Sequence, residues 1–447
     1  MMISVYGAGY VGLVSGVCFA KLGHSVICAD INQERIEKLQ AGQCPIYEAQ
    51  LPELLIEQIN SGRLQFTADV QQAVRSANIH FIATGTPSLE DGSADLSQVF
   101  AVAKQVASGI QQDGILVTKS TVPVGTGDQL EHCVKEELAK CNSTYRLEIA
   151  SNPEFLREGS AVHDFLHADR VVIGGVPYAL EVLTDLYQPL TAQGIPLLSM
   201  SRKSAELTKY TANAMLACKI SFMNQISRIA EKVGADIDEI REGIALDHRI
   251  GPHFLQAGIG YGGSCFPKDG RAIIQTAKNV GENSELLAAV DKVNELQKQW
   301  AGEQLHDHFK GRLNNKTIAI WGLAFKPGTD DMREASSLVI INALLTSGAM
   351  VRLYDPVAMD AARQLIPSSS SIQWCNSAEE AIAEGVDALV IATEWPIFKN
   401  YSLSSLQHSL QHAPVIDGRN CYTLDNAAQA KLVYYSVGRP RIHQKDL

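Results

Sequence analysis

The sequence lacks the cysteine patterns of disulfide-stapled and zinc-binding proteins. Its nine cysteines are an odd number, scattered along 447 residues, with no CxxC pair and no metal-like spacing to histidine. A disulfide framework or a structural zinc site is therefore not expected, and no metal is predicted. The cysteines are predicted to be reduced thiols in a cytoplasmic protein.

Basic charge and long apolar runs are scarce as well. The formal net charge is -11, whereas a nucleic-acid-binding protein normally carries a basic face, so that class is disfavoured. The apolar stretch after the first strand is interrupted by Gly7, Gly9, Gly12 and Gly16. It is too short to span a bilayer and lacks a basic leader, so we expect neither a secretion signal nor a membrane anchor. The remaining composition, 46% hydrophobic and 19% charged, is typical of a globular chain with two or three domains.

A glycine-rich turn between two strands predicts a dinucleotide site near the N-terminus. Residues 3–6 read as a strand, residues 7–12 as Gly-Ala-Gly-Tyr-Val-Gly, and residues 25–29 as a second strand that Asp30 follows. The glycines let the backbone approach a pyrophosphate at the start of a helix, and Asp30 would accept hydrogen bonds from ribose hydroxyls. A carboxylate there repels a 2′-phosphate, which favours NAD over NADP. Arg35 either contacts the ribose side or is a solvated helix residue.

Polar residues follow two further predicted strands, residues 79–83 and 115–118. Ligands gather at the carboxyl ends of strands in an open α/β sheet, so Thr86, Ser120 and Thr121 are candidates to line the cofactor and the reacting carbon. Their alternative role is to cap helices.

A run of two carboxylates beside an arginine follows another strand. The strand covers residues 147–150 and leads to Asn-Pro-Glu-Phe-Leu-Arg-Glu-Gly at residues 152–159. This pattern predicts either a functional site or an exposed helix start.

A long helix is predicted from Ser204 to about Val233, since this stretch has no proline or interior glycine. Glu206, Lys209 and Asn213 lie on one face of it, at positions i, i+3 and i+7. The three polar groups either pair with one another or point into a cavity, and their spacing alone does not decide.

A glycine-rich loop with a single cysteine stands out at residues 258–269, which read Gly-Ile-Gly-Tyr-Gly-Gly-Ser-Cys-Phe-Pro-Lys-Asp. Pro267 favours a turn or a helix start after Cys265, and Lys268 adds positive charge. A cation or a helix N-terminus lowers the pKa of a nearby thiol, and the thiolate is its reactive form. The alternative is a buried, inert cysteine in a turn.

The C-terminal part repeats the strand–turn–helix–strand–Asp order. Strands are predicted at residues 317–321 and 350–354, and Asp355 follows the second. The full glycine fingerprint is missing, so this part reads as a second doubly wound domain that binds a different nucleotide. A helix is predicted before it at residues 285–309, and the tail after Val437 is predicted to be loosely ordered.

The predicted fold class is α/β, with two doubly wound Rossmann-like domains joined by a long central helix. The expected domains are an NAD-binding domain at 1–200, a central helical domain with the cysteine loop at 201–310, and a C-terminal Rossmann-like domain at 311–447.

Together these motifs resemble the UDP-glucose/GDP-mannose dehydrogenase family nearly end to end. The resemblance is carried by residues 7–12, 119–125, 152–159, 258–269 and 322–333. It implies a four-electron oxidation of UDP-glucose to UDP-glucuronate with two NAD per sugar, in nucleotide-sugar metabolism that serves polysaccharide biosynthesis. GDP-mannose or a UDP-N-acetyl-hexosamine is the alternative substrate. A nucleotide-sugar sensor without turnover is the alternative of another class, although a pure binder has no need of a nucleophile.

The resemblance also implies residue roles. The Cys265 thiolate would attack the aldehyde to give a thiohemiacetal, and a second oxidation would give a thioester. Lys209 would stabilise the oxyanions and Asn213 would donate to the same oxygen. Asp269 and Thr121 would hold a water molecule, and Glu154 is the base candidate for hydrolysis. Arg249 would reach the sugar of a neighbouring subunit, which implies a homodimer built on the central helix. The resemblance thus makes 201–310 the dimerisation domain and 311–447 the UDP-sugar-binding domain.

Two contact sets complete these expectations. With the glycine turn and the strand ends, the predicted NAD contacts are Gly7, Gly9, Tyr10, Val11, Gly12, Asp30, Arg35, Thr86, Ser120, Thr121, Glu158, Lys268 and Arg333. The predicted sugar-nucleotide contacts are Glu154, Phe155, Leu156, Arg157, Glu158, Lys209, Asn213, Arg249, Phe254, Leu255, Gln256, Ala257, Gly258, Gly262, Phe325, Lys326 and Arg419.

Overall fold

The structure is a computed structural model that describes residues 1–443. The chain divides into two compact units. The first unit comprises Met1–Ala212 and Arg271–Glu282, and the second comprises Asn213–Gly270 and Asn283–Leu447.

The first unit is built on an eight-stranded sheet. Its strands are β1 (Met2–Tyr6), β2 (Ser25–Ala29), β3 (Leu64–Thr67), β4 (Ile79–Ile82), β5 (Gly114–Thr118), β6 (Leu147–Ser151), β7 (Val171–Gly175) and β8 (Leu197–Met200). The strand order is β3-β2-β1-β4-β5-β6-β7-β8, and all neighbours are parallel except the antiparallel pair β6 and β7. The β1–β2–β3 half and the β4–β5–β6 half diverge between β1 and β4, as in a doubly wound fold.

Helices cover both faces of this sheet. They are α1 (Tyr10–Lys21), α2 (Gln33–Gln40), α3 (Leu51–Asn60), α4 (Val70–Ser76), α5 (Ser97–Gly109), α6 (Thr126–Lys140), α7 (Ala161–Leu166), α8 (Pro177–Leu186) and α9 (Gln188–Thr191). Successive strand residues point to opposite faces, so Val5 packs in one core and Tyr6 in the other. Because both faces are buried, the central strands are almost wholly apolar, which is why they could be predicted from the sequence.

Long and short helices follow in the middle of the chain. They are α10 (Arg202–Val233), α11 (Ile237–Ala245), α12 (Phe266–Asn279), α13 (Glu285–Lys298) and α14 (Trp300–His308). The predicted single helix at 285–309 is therefore two helices. The Gln299 amide bonds to the Leu296 carbonyl three residues back (3.3 Å), a tighter turn that ends α13.

The second unit contains a six-stranded parallel sheet. Its strands are β9 (Thr317–Trp321), β10 (Met350–Tyr354), β11 (Ile372–Trp374), β12 (Ala388–Ile391), β13 (Val415–Asp417) and β14 (Tyr434–Ser436), in the order β11-β10-β9-β12-β13-β14. Its helices are α15 (Ser336–Thr346), α16 (Met359–Leu365), α17 (Ala378–Ala381), α18 (Pro396–Lys399), α19 (Leu403–Leu410) and α20 (Leu424–Gln429). The prediction of two doubly wound α/β sheets and a long helix is confirmed.

The expectation of a loosely ordered tail is wrong for residues 438–443. Arg439 is 4% exposed and donates hydrogen bonds to the Tyr434 hydroxyl (3.0 Å) and the Tyr422 carbonyl (3.0 Å). Ile442 exchanges two backbone hydrogen bonds with Tyr434 (3.0 Å each). Residues 444–447 of the predicted tail lie outside the described residues. Among the helices of residues 1–443, none has the length and apolar character that a membrane crossing requires.

Candidate active site

The glycine turn after β1 has the geometry that a dinucleotide site requires. Gly7 has φ +96°, and a Cβ atom there would lie 2.8 Å from the Ala83 carbonyl oxygen. A Cβ atom on Gly12 would lie 1.8 Å from the Gly7 carbonyl oxygen, so α1 can pack this closely only with glycine at that position. At Gly9, by contrast, a Cβ atom would meet nothing within 4 Å. The turn therefore presents open backbone at Gly9, beside the start of α1, where a pyrophosphate fits.

Asp30 fixes the end of β2 to this turn. Its buried carboxylate accepts hydrogen bonds from the backbone amides of Ala8 (2.8 Å) and Asn32 (2.9 Å) and pairs with Nη1 of Arg35 (2.9 Å). Arg35, for which the sequence left two roles, is thus the ion-pair partner of Asp30. The pair places a carboxylate and a guanidinium where the ribose of a dinucleotide would lie.

Hydrogen bonds from side-chain hydroxyls connect the segment that follows β4 to the segment that follows β5. The Thr86 hydroxyl donates to the Thr121 carbonyl (2.9 Å), and the Ser120 hydroxyl donates to the Thr84 carbonyl (2.7 Å). The caps of the helices that follow are other residues, Leu96 for α5 and Gly125 for α6. The capping alternative is therefore wrong for Thr86 and Ser120.

The carboxylate run after β6 contains a buried ion pair. The Glu154 Oε1 atom lies 3.0 Å from Nζ of Lys209, and the two side chains are only 5% and 4% exposed. The other Glu154 oxygen accepts the Leu156 amide (2.6 Å). Glu154 is therefore part of a buried cluster, and the alternative of an exposed helix start is wrong for it.

A second buried cation lies near this pair. The Lys119 ammonium contacts Oδ1 of Asn152 (3.2 Å) and the Tyr187 hydroxyl (3.5 Å). Burial, which the Glu154 carboxylate opposes and the Lys209 charge reinforces, lowers the pKa of Lys119 to about 8. The sequence analysis gave this lysine no role.

Glu48 is a further buried carboxylate that no sequence pattern predicted. Its buried carboxylate accepts hydrogen bonds from the Gly159 amide (2.7 Å), the Ala161 amide (2.8 Å) and the Tyr10 hydroxyl. It thereby joins the first turn of α1 to the end of the run at 152–159. No local pattern marks it, because its partners lie 38 to 113 residues away in the sequence.

The cysteine loop lies in the second unit and is shaped by close backbone contacts. A Cβ atom on Gly262 would lie 2.4 Å from the Glu334 carbonyl oxygen. Gly263 has φ +83°, and a Cβ atom there would lie 2.8 Å from the Phe325 ring. Cys265 is half-buried and directly precedes α12, so its thiol lies at a helix N-terminus, as predicted.

Asp269, one turn into α12, binds two predicted site residues. Its carboxylate accepts Nδ2 of Asn213 (2.6 Å) and pairs with Nζ of Lys268 (2.7 Å), and it is 1% exposed. Glu206, Lys209 and Asn213 thus contact three different elements: Glu206 bonds to the start of α6, Lys209 to Glu154, and Asn213 to Asp269.

Arg419 links the strand ends of the second unit to the cysteine loop. Its guanidinium donates to the carbonyls of Ala392 (2.9 Å), Gly260 (3.1 Å) and Phe325 (3.4 Å). Nζ of Lys326 lies 5.6 Å from the centroid of the Phe325 ring. These predicted sugar-nucleotide residues therefore lie together in the second unit.

The remaining predicted residues divide between the units. The first unit also holds Val11, Phe155, Leu156, Arg157 and Glu158, and the second also holds Arg249, Phe254, Leu255, Gln256, Ala257, Gly258 and Arg333. Three predicted arginines pair with nearby carboxylates: Arg157 with Asp164 (2.6 Å), Arg249 with Asp247 (2.6 Å) and Arg333 with Asp331 (2.8 Å). The Arg249 side chain is 78% exposed.

Comparison with known families covers most of the chain. The chain matches the UDP-glucose/GDP-mannose dehydrogenase family in three segments. Residues 1–191 match its NAD binding domain, residues 203–296 its central domain and residues 319–424 its UDP binding domain. The prediction of an NAD-binding region at the N-terminus is confirmed.

Individual proteins resemble the chain over nearly its full length. A UDP-glucose 6-dehydrogenase of Pseudomonas aeruginosa is 46% identical over 444 residues, which cover 99% of this chain and 98% of that protein. The solved structure of a UDP-glucose dehydrogenase from Pyrobaculum islandicum has a TM-score of 0.89 and 39% identity, covering 98% of each chain. That of a UDP-D-ManNAc dehydrogenase from Pyrococcus horikoshii has a TM-score of 0.86 and 27% identity, covering 100% of each.

Proposed function

We propose that the chain, which belongs to the UDP-glucose/GDP-mannose dehydrogenase family, oxidises C6 of UDP-glucose from the alcohol to the acid, giving UDP-glucuronate and two NADH. The observation that carries this proposal is the position of Cys265 at the start of α12, one turn before the buried Asp269. A thiol at a helix N-terminus is poised to be a thiolate, the form that attacks a carbonyl.

The open backbone at Gly9 and the carboxylate of Asp30 fit NAD. NAD bound there would accept the hydride in each of the two oxidations. The first oxidation turns the C6 alcohol into an aldehyde, with the hydroxyl proton passing to a base. The Cys265 thiolate then adds to C6, the C=O π bond breaks, and the oxygen takes up a proton to give a thiohemiacetal. Loss of a second hydride and the hydroxyl proton gives a thioester, and water cleaves the C–S bond to release the acid and the thiol.

The other residues serve the developing charges and the water. We assign oxyanion stabilisation to Lys209, whose cation is buried and therefore weakly screened. Asn213 donates to the same oxygen. Thr121 and Asp269 hold the water, and Glu154 is the base for hydrolysis.

UDP-glucose is favoured over other nucleotide sugars by the comparison of relatives. The UDP-glucose 6-dehydrogenase of P. aeruginosa is 46% identical to this chain, whereas the UDP-D-ManNAc dehydrogenase of P. horikoshii is 27% identical. This difference supports UDP-glucose as the substrate, and the other nucleotide sugars serve as outcomes of the test below.

We further propose a cytoplasmic homodimer formed through α10. This helix exposes three apolar side chains spaced seven residues apart, Met215 (62% exposed), Phe222 (54%) and Ile229 (51%). Such spacing forms one stripe along a helix, which a second copy can cover. The proposal includes the three domains at 1–200, 201–310 and 311–447, with Arg249 reaching the sugar of the neighbouring subunit.

The test is NADH formation by the purified protein, measured by absorbance with limiting UDP-glucose, GDP-mannose or UDP-N-acetylmannosamine. We expect two NADH per UDP-glucose and none with the other sugars. One NADH per sugar would make the aldehyde the product and remove the role of Cys265. Turnover of another sugar, or of none, would overturn the substrate assignment. Binding of UDP-glucose without NADH would indicate a sensor.

A further inference from the structure

Glu206 is a buried carboxylate that the proposed chemistry does not use. It lies on α10, three residues before Lys209, and is 3% exposed. Oε2 accepts the amide of Gly125 (2.7 Å) and Oε1 accepts the amide of Gly127 (2.8 Å). The Ser151 hydroxyl lies 3.4 Å from Oε1. Glu206 therefore connects the N-terminus of α6 to the end of β6.

The start of α6 depends on this external carboxylate. Its N-cap is Gly125, with φ +92°, which has no side chain to accept the first amides of the helix. Glu206 supplies the acceptors and places negative charge at the positive end of the helix dipole. A Cβ atom on Gly127 would lie 3.0 Å from Oε1 of Glu206, so glycine at 127 leaves room for the carboxylate.

The three segments that Glu206 joins each carry a residue of the proposed chemistry. The loop from β5 to α6 carries Thr121, and β6 ends at Ser151, three residues before Glu154. Lys209 follows Glu206 by one turn of α10. All of these residues belong to the first unit.

We propose that Glu206 is a positioning residue for the oxidation. Its carboxylate fixes the spacing between the Thr121 loop, the end of β6 and α10, and so keeps Thr121 in register with the Lys209–Glu154 pair. For its catalytic consequence the inference rests on the proposed function. Burial raises the pKa of Glu206, while the amides of Gly125 and Gly127 oppose that rise by stabilising the carboxylate.

The perturbation is Glu206→Gln, which keeps the size of the side chain. Glutamine has one acceptor oxygen, so its NH2 group must face one of the two amides and leave that amide without an acceptor. Misplacement of a site by about 1 Å can cost about 10²-fold in rate. We therefore expect kcat for NADH formation to fall by about 10- to 100-fold. Both KM values should change by less than about threefold, because the substrate contacts themselves remain.

The matched control is Glu231→Gln on the same helix. Oε1 of Glu231 accepts two donors, Nε1 of Trp300 (2.8 Å) and the amide of Gly438 (2.9 Å), and Glu231 lies in the second unit among no proposed site residues. Because one oxygen accepts both donors, the carbonyl oxygen of a glutamine can keep both hydrogen bonds. Burial raises its pKa as well. Glu231→Gln thus removes a buried carboxylate charge from the same helix and keeps its hydrogen bonds, so only Glu206→Gln should lose kcat. An equal kcat in the two variants would overturn the proposal.

Hydrogen exchange supplies a measurement that does not depend on turnover. In Glu206→Gln, residues 119–127 should exchange faster than in the wild type, with no such change in Glu231→Gln. Unchanged protection of 119–127 would overturn the positioning role even if the wild type oxidised none of the sugars tested. Should Glu206→Gln fail to fold, Gly127→Ala would place a methyl group 3.0 Å from Oε1 of Glu206 and so perturb the same contact. Normal kcat in that variant would count against the proposal.

Discussion

The buried Lys209–Glu154 pair predicts an asymmetric response to the loss of either partner. The two side chains are 4% and 5% exposed, and Nζ and Oε1 are 3.0 Å apart. At that distance and an effective dielectric constant of about 20, the attraction is about 5 kcal/mol. Removal of one partner of a buried pair leaves the other uncompensated and costs about 3–5 kcal/mol of stability.

The nearby charge of Lys119 determines which of the two substitutions costs more stability. After Lys209→Met, the Glu154 carboxylate still has the charge of Lys119 nearby, so the cost should be near the lower end of the range, about 3 kcal/mol. After Glu154→Gln, two buried cations, Lys119 and Lys209, lose the carboxylate that interacts with both, so the cost should be near the upper end, about 5 kcal/mol. The double variant should lose less than the sum of the single variants, because it leaves no unpaired charge at these two positions.

The assay is denaturation followed by two probes. All four tryptophans lie in the second unit, so their fluorescence reports on that unit, while far-UV circular dichroism reports on both. The loss of stability should shift the circular dichroism transition to a lower denaturant concentration, and the fluorescence transition should not move. A larger loss for Lys209→Met than for Glu154→Gln, or strict additivity in the double variant, would refute this reasoning.

Three further predictions concern the first unit. Burial lowers the pKa of His80 to about 3. Below the usual pKa of about 6.5 the unfolded state therefore binds a proton at His80 that the folded state does not bind. The free energy of unfolding should for this reason fall by about 2 kcal/mol between pH 7 and pH 5. In denaturation experiments, the free energy of unfolding of His80→Gln should fall less between pH 7 and pH 5 than that of the wild type. An equal fall would contradict the assignment. Asp30→Ala removes a carboxylate that would repel a 2′-phosphate, so the ratio of kcat/KM for NADP to that for NAD should rise at least about tenfold; an unchanged ratio would place the ribose elsewhere. Gly12→Ala would bring a Cβ atom to 1.8 Å from the Gly7 carbonyl oxygen and so distort the turn. Calorimetry should then detect no NAD binding, while the tryptophan fluorescence transition is retained. Normal NAD affinity would show that the turn is not the site.

Local sequence patterns predicted the central strands of both sheets, since strands buried on both faces must be continuous apolar runs. They did not predict the edge strands β3, β8, β11 and β14. Three strands, Ser25–Ala29, Thr317–Trp321 and Met350–Tyr354, have the predicted bounds. The glycine turn was predictable for a similar reason, because its backbone geometry admits few residues other than glycine.

Contacts between distant segments could not be predicted in this way. Glu48 bonds to Gly159, and Arg439 is buried by polar partners on other elements, although neither residue has a local pattern that marks it. The spacing of Glu206 and Lys209 correctly placed them on one face of a helix, but their partners depend on which strands end beside that face. Sheet topology determines those partners, and the local sequence does not record it.

The central claim is that Cys265 carries the second oxidation, and counting NADH in a single turnover tests it most directly. With enzyme in excess over UDP-glucose, the wild type should form two NADH per sugar. Cys265→Ser should form one and leave an aldehyde that hydroxylamine traps, because the alcohol oxidation does not need the thiol. Two NADH per sugar from Cys265→Ser, at the wild-type rate, would contradict the covalent mechanism.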